Sequence, residues 1–97
     1  MTTGSRLSSE GLDARRKRIL FRCWHRGTKE LDLIIGRFAD VHLAGLTDAE
    51  LDQLERMLDV PDPELYAAFV GEAETPPDAA GTVFDRIKSF GAASPSQ

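Results

Sequence analysis

Apolar residues recur at helical spacing between Leu31 and His42, and this periodicity limits the segment to an α-helix. Positions i, i+3, i+4, i+7, i+10 and i+11 hold Leu31, Ile34, Ile35, Phe38, Val41 and His42. This spacing gathers side chains on one helix face, whereas a strand would alternate every second residue. The sequence contains no sustained alternation and no Asn-Gly or Asp-Gly hairpin turn. We therefore predict a helix that starts soon after Gly27 and ends between His42 and Gly45.

A second helix is predicted immediately before this one, from Leu12 or Asp13 to His25 or Arg26. Its apolar stripe consists of Ile19, Leu20, Cys23 and Trp24. Gly27 follows, and glycine adopts the left-handed backbone that commonly ends a helix at little steric cost. The chain is therefore expected to turn sharply at Gly27.

Three more helices are predicted from their start signals. Thr47 and Glu50 have the spacing of a capping box, in which each side chain bonds the other residue's backbone N–H. Asp62 is the expected N-cap of a short helix with Pro63 at its first position and Gly71 as its stop. Asp78 is the expected cap of the last helix. The apolar residues predicted to face inward are Leu51, Leu54, Leu58, Leu65, Ala68, Phe69, Val83, Phe84, Ile87 and Phe90.

The predicted fold class is all-α, a compact five-helix bundle in a single domain. A chain of 97 residues has room for one modest hydrophobic core. We expect residues 1–11 to be a disordered lead-in, residues 12–90 to form the helical domain and residues 91–97 to form a disordered tail.

The sequence offers few groups for catalysis. Its one cysteine, Cys23, can form no internal disulfide and is expected to be a buried, reduced thiol. There is no phosphate-binding glycine loop, no metal-ligand cluster and no spacing that unites a Ser/His/Asp set. No apolar run approaches the roughly 20 residues of a membrane span, and the first residues lack the features of a targeting peptide. We predict that the protein is not an enzyme, and that it is cytoplasmic with no membrane association.

Charge is distributed unevenly along the chain. Residues 1–29 hold eight Lys and Arg against two acids, a net +6, and residues 30–97 hold four against fourteen, a net −10. The basic segment 15–26 could attract an anionic partner, either an acidic protein or a nucleic acid. A small nucleic-acid-binding or antitoxin-like adaptor that uses this helix is thus the alternative interpretation. The acidic remainder of the chain and the apolar stripe on the same helix make nucleic-acid binding the less favoured interpretation.

The run from Arg15 to Asp40 resembles the SdhE family of succinate dehydrogenase assembly factors, whose hallmark is Arg-Gly-x-x-Glu. Here that motif is Arg26-Gly27-Thr28-Lys29-Glu30. The resemblance continues through Asp32 and the later stretch from Met57 to Gly71. His25 stands where many members of the family have a second arginine, and Phe69 stands where tryptophan is frequent.

The resemblance implies an FAD assembly factor, a dedicated chaperone of five helices. Such a factor binds the flavoprotein subunit of succinate dehydrogenase, and in some bacteria fumarate reductase, and promotes covalent attachment of FAD to it. FAD is then the client's cofactor, with none bound tightly by the factor itself. The expected protein is a monomer when free, without nucleic acid, in the bacterial cytoplasm or, in a eukaryote, the mitochondrial matrix. The partner-binding residues implied are Arg22, His25, Arg26, Gly27, Glu30 and Asp32.

Overall fold

The computed structural model describes residues 12–93, with side chains up to residue 91. Within this range the structure contains five α-helices, one short 3₁₀ helix and no strand, which confirms the all-α, five-helix prediction. The helices are α1 (Ala14–Trp24), α2 (Lys29–His42), α3 (Asp48–Leu58), α4 (Asp62–Phe69) and α5 (Thr82–Ala93), and the 3₁₀ helix is Leu43–Gly45. The described residues divide into two compact units, one ending at Leu46 and the other starting at Thr47.

Helix α1 lies close to its predicted position. Asp13 caps its start by accepting a hydrogen bond from the backbone N–H of Arg16 at 2.8 Å. The helix ends at Trp24, one or two residues before the predicted end, and His25 is its C-cap. The four residues of the predicted apolar stripe are all buried, so this part of the prediction is confirmed.

Helix α2 begins two residues after Gly27, and its buried face differs from the predicted one. Leu31, Ile35 and Phe38 are buried as expected, but Val41 is 60% exposed, so its predicted core position is wrong. The buried stripe is rotated towards Gly36 and Ala39, because Trp24 of α1 packs directly over Gly36. Val41 lies on the opposite edge of that stripe.

The second unit starts with the predicted capping box. The Thr47 hydroxyl accepts from the backbone N–H of Glu50 at 3.2 Å, and the Glu50 carboxylate accepts from the backbone N–H of Thr47 at 2.8 Å. The bond from the Thr47 backbone N–H, together with the nearby Arg86 guanidinium, holds the pKa of the Glu50 carboxyl below its usual value. The capping-box prediction is confirmed, and α3 buries Leu51, Leu54, Met57 and Leu58.

Two predicted helix starts are shifted. The N-cap of α4 is Pro61, so Asp62 is the first helical residue instead of the cap. The predicted stop is correct, since Gly71 follows the helix with a φ of +82°. Asp78 does not cap α5, because residues 76–80 form a turn of their own in which the N–H groups of Ala79 and Ala80 donate to Pro76.

Helix α5 is capped by a residue from a different helix. The Gln53 side chain of α3 accepts a hydrogen bond from the backbone N–H of Val83 at 3.0 Å. Arg86 adds an ion pair with Glu50 at 3.0 Å. The helix runs to Ala93, three residues past the predicted boundary at 90. The predicted lead-in 1–11 and residues 94–97 of the predicted tail lie outside the described residues.

Candidate functional site

The candidate site is the corner between α1 and α2, residues 25–28. Gly27 has a φ of +102°, a left-handed backbone conformation that strains any residue with a Cβ. A Cβ at this position would meet no atom within 4 Å, so the space above the backbone is open. The sharp turn predicted at Gly27 is confirmed, and the corner presents bare backbone to an approaching molecule.

Asp32, in the first turn of α2, stabilises this corner through hydrogen bonds to its backbone. Its Oδ1 accepts a hydrogen bond from the backbone N–H of Arg26 at 2.9 Å, and its own N–H donates to the Thr28 carbonyl at 3.0 Å. Thr28 is the N-cap of α2, but its side chain makes no capping bond. Asp32 therefore fixes the backbone that leads from α1 into α2, a role that its sequence position alone did not indicate.

Glu30 and Arg26 lie on either side of Gly27 in sequence. Glu30 is exposed in the first turn of α2, where the unpaired N–H groups favour a carboxylate. Arg26 is half-buried, and Arg22 is half-buried in the last turn of α1. The fold thus places all of the predicted partner-binding residues within the last turn of α1, the corner and the first turn of α2.

Trp24 anchors the end of α1 behind the corner. Its indole Nε1 donates to the Asp40 carboxylate at 3.1 Å. The ring lies so close to α2 that a Cβ on Gly36 would be 2.5 Å from its Cε2 atom. The absence of a side chain at Gly36 is what allows this approach, and the anchor sets the direction from which α1 enters the corner.

Phe21 is an exposed aromatic residue beside the corner that was not predicted from the sequence. It is 63% exposed, and its ring stacks on His25 with centroids 3.9 Å apart and planes inclined by 13°. The His25 ring is also held by a 2.7 Å hydrogen bond between Nδ1 and the Phe21 carbonyl oxygen. The sequence feature that could have indicated it is a large aromatic residue outside the apolar stripe of a basic helix.

The basic residues of α1 do not form one uniform surface. The Arg16 side chain packs against the 3₁₀ helix of the first unit. Its guanidinium donates to the carbonyl oxygens of Leu43, at 3.1 Å, and of Leu46. It also pairs with Asp13 at 2.9 Å, and its N–H and guanidinium lower the pKa of that carboxyl. Arg16 therefore closes the end of the 3₁₀ helix.

Cys23 is buried, as predicted. Burial raises the pKa of its thiol to about 12, so the thiol stays protonated at neutral pH. A protonated and enclosed thiol is a poor nucleophile.

Two further features bear on the chemistry of the described part of the chain. Between residues 12 and 93, no three His, Cys, Asp or Glu side chains are grouped so that they could hold a metal ion. None of the helices in that range is long and apolar enough to cross a membrane. What the site offers is an open, charged corner on a fixed scaffold, an arrangement suited to binding another macromolecule.

Comparisons with known proteins identify similar chains. A family described as "Flavinator of succinate dehydrogenase" matches residues 17–91, a range that includes the whole corner. The FAD assembly factor SdhE of Acetobacter pasteurianus is 36% identical over 86 residues, covering 89% of this chain and 79% of the relative.

Mitochondrial relatives match over a shorter region. Succinate dehydrogenase assembly factor 2 of Debaryomyces hansenii is 37% identical over 61% of this chain, and that of Scheffersomyces stipitis is 40% identical over 59%. The matched region spans only 42% and 38% of those two relatives. No solved structure matches the chain significantly.

Proposed function

This chain belongs to the family of flavinators of succinate dehydrogenase, and we propose that it is an FAD assembly factor for that enzyme. In this proposal it binds the flavoprotein subunit and promotes the covalent attachment of FAD to it, as a dedicated chaperone. The observation that carries the proposal is the family match over residues 17–91, which includes both helices of the corner.

We propose that the corner is the surface that meets the flavoprotein subunit. Gly27 lets the client approach the backbone, since no atom lies within 4 Å of where its Cβ would be. Glu30 and Arg26 supply charges of opposite sign on the two sides of that bare backbone, and Arg22 and His25 extend the surface along α1. Asp32 contributes indirectly, because its 2.9 Å bond to the Arg26 N–H holds the corner in shape.

We place the bond-forming chemistry in the flavoprotein and its flavin, so that FAD is the client's cofactor and the assembly factor is not an enzyme. Burial raises the pKa of the Cys23 thiol to about 12, so this thiol provides no nucleophile at neutral pH. This supports placing the chemistry in the flavoprotein. We further propose a monomer when free, which leaves the client before the iron–sulfur subunit docks. The similarity to a bacterial FAD assembly factor favours the bacterial cytoplasm as its location.

Co-expression with the cognate flavoprotein subunit tests the proposal. The covalent flavin of the subunit is read as fluorescence on a denaturing gel. The wild-type chain should raise this signal well above that of the subunit expressed alone. Glu30→Ala should lose most of the increase while keeping the fold, because Glu30 is exposed and takes no part in the core.

Glu64→Ala is the matched control. Glu64 is also an exposed carboxylate in the first turn of a helix, but that helix is α4, away from the corner in sequence. It should support normal flavinylation. Equal covalent flavin with and without the wild-type chain would refute the proposed function, whereas normal activity of Glu30→Ala would refute only the role assigned to Glu30.

A further inference from the structure

Phe21 exposes more of its side chain than any other large apolar residue in the described part of the chain, at 63%. It lies in α1, whose first nine residues include five Arg or Lys side chains and no acid. An exposed aromatic ring gains free energy when a partner covers it, and aromatic residues are enriched in the centres of protein interfaces. The position of Phe21 on a basic helix therefore marks a surface with both an apolar and an electrostatic component.

The stack with His25 makes this surface rigid. The two rings lie 3.9 Å apart and nearly parallel, and the His25 Nδ1 is bonded to the Phe21 carbonyl oxygen at 2.7 Å. A carbonyl oxygen can only accept, so Nδ1 carries the proton and Nε2 is the acceptor in the neutral ring. Because both rings are already held in place, the Phe21 and His25 side chains lose little conformational entropy when a partner covers them.

We propose that the Phe21–His25 stack is a docking platform for the flavoprotein subunit, continuous with the corner at residues 25–28 and with Glu30 in the first turn of α2. This inference rests on the proposed function. The complementary client surface has an apolar or aromatic centre that covers the Phe21 ring, a donor for His25 Nε2 and carboxylates that meet the basic side chains of α1. Continuity follows from the chain itself, since His25 directly precedes Arg26 and Gly27 at the open corner.

A single-stranded nucleic acid also stacks on aromatic rings in basic surroundings, so the two kinds of partner need to be distinguished. The structure favours a protein. The Arg16 guanidinium is engaged with the carbonyl oxygens of Leu43 and Leu46, which removes it from a phosphate-binding row. The exposed Glu30 carboxylate lies in the first turn of α2, directly after the corner, and it would repel phosphate groups. A surface of mixed charge around an aromatic centre fits a folded protein better than a phosphate backbone.

The test measures the affinity of the full chain for the purified flavoprotein subunit without covalent flavin, by isothermal titration calorimetry. Phe21→Ala should weaken binding about tenfold or more, as expected for an aromatic residue at an interface centre. Phe21→Tyr, which keeps the ring, should bind nearly as well as the wild type. Val41→Ala is the matched control, because Val41 is 60% exposed in the same unit but lies at the far end of α2. Its affinity should be unchanged.

Circular dichroism should show that Phe21→Ala keeps the helical fold, since the side chain lies largely outside the core. If Phe21→Ala binds as tightly as the wild type while Glu30→Ala does not, the platform is wrong and the proposed function stands. If the wild-type chain does not bind the subunit, both are wrong. If Phe21→Ala weakens binding to a single-stranded oligothymidylate but not to the subunit, the platform serves nucleic acid and the inference is overturned.

Discussion

Substitution of Gly36 by alanine tests how the two helices of the corner are held together. An added Cβ would lie 2.5, 2.6 and 2.9 Å from three atoms of the Trp24 indole. Carbon atoms in favourable contact are about 3.5 to 4.0 Å apart, so the ring would have to move by roughly 1 Å. Such a movement would also lengthen the 3.1 Å bond from Trp24 Nε1 to Asp40.

Three effects determine how much Gly36→Ala changes the free energy of unfolding. Overpacking of a well-packed site costs about 1 to 3 kcal/mol, and the loss of one hydrogen bond costs about 0.5 to 1.5 kcal/mol. Alanine is a better helix former than glycine by about 0.8 to 1.0 kcal/mol, which offsets part of that cost. We therefore expect Gly36→Ala to lower the free energy of unfolding by about 1 to 3 kcal/mol.

Urea unfolding followed by tryptophan fluorescence measures this change directly, because Trp24 is the only tryptophan in the chain. Gly91→Ala is the control, since a Cβ at Gly91 in α5 would meet no atom within 4 Å. That variant should be as stable as the wild type or more stable by up to about 1 kcal/mol. A Gly36→Ala variant at least as stable as the wild type would refute the close packing of Trp24 on α2.

Three other predictions concern the first unit. Arg16→Ala should lower the free energy of unfolding by about 1 to 3 kcal/mol, because the carbonyl oxygens of Leu43 and Leu46 lose a charged donor. Arg18 is exposed, so Arg18→Ala should change the free energy of unfolding little. Equal urea midpoints for the two variants would contradict the structural role of Arg16. The Cys23 thiol should resist Ellman's reagent in the folded chain at pH 8 and react fully in urea, because burial raises its pKa to about 12 from an ordinary 9.0. Above pH 9 the unfolded chain loses this proton while the folded chain retains it, so stability should fall as pH rises from 9 towards 12, and more steeply than in Cys23→Ala. A rapid reaction of the folded chain, or identical pH slopes for the two proteins, would show that the thiol is open to solvent.

The parts of the fold that sequence reasoning predicted correctly are those specified by neighbouring residues. The Thr47–Glu50 capping box joins two residues three positions apart, and the turn at Gly27 follows from the conformational freedom of one residue. The buried stripe of α1 has a plain helical period. In each case the determining interaction lies within one turn of helix, so its signal is present in a short stretch of sequence.

The features that were missed depend on contacts between distant residues. Val41 fits the apolar period of α2, but Trp24 packs on Gly36 and the buried face of the helix is rotated away from Val41. Asp78 resembles a helix cap in isolation, yet the cap of α5 comes from Gln53, thirty residues before the N–H that it accepts. At the site, the sharp turn could be predicted from Gly27. The stack of Phe21 on His25 is the exception among the missed features, because the two residues are only four positions apart and the sequence signal was an aromatic residue outside the apolar stripe of α1.

Reconstitution from purified components tests the central proposal most directly. The flavoprotein subunit, prepared without covalent flavin, is incubated with FAD in the presence or absence of the purified chain, and covalent flavin is followed over time on denaturing gels. We predict faster covalent attachment when the chain is present and a much smaller gain with Glu30→Ala, with all of the covalent flavin on the subunit. Identical rates with and without the chain, or covalent flavin on the chain itself, would contradict the proposal that it is an assembly factor.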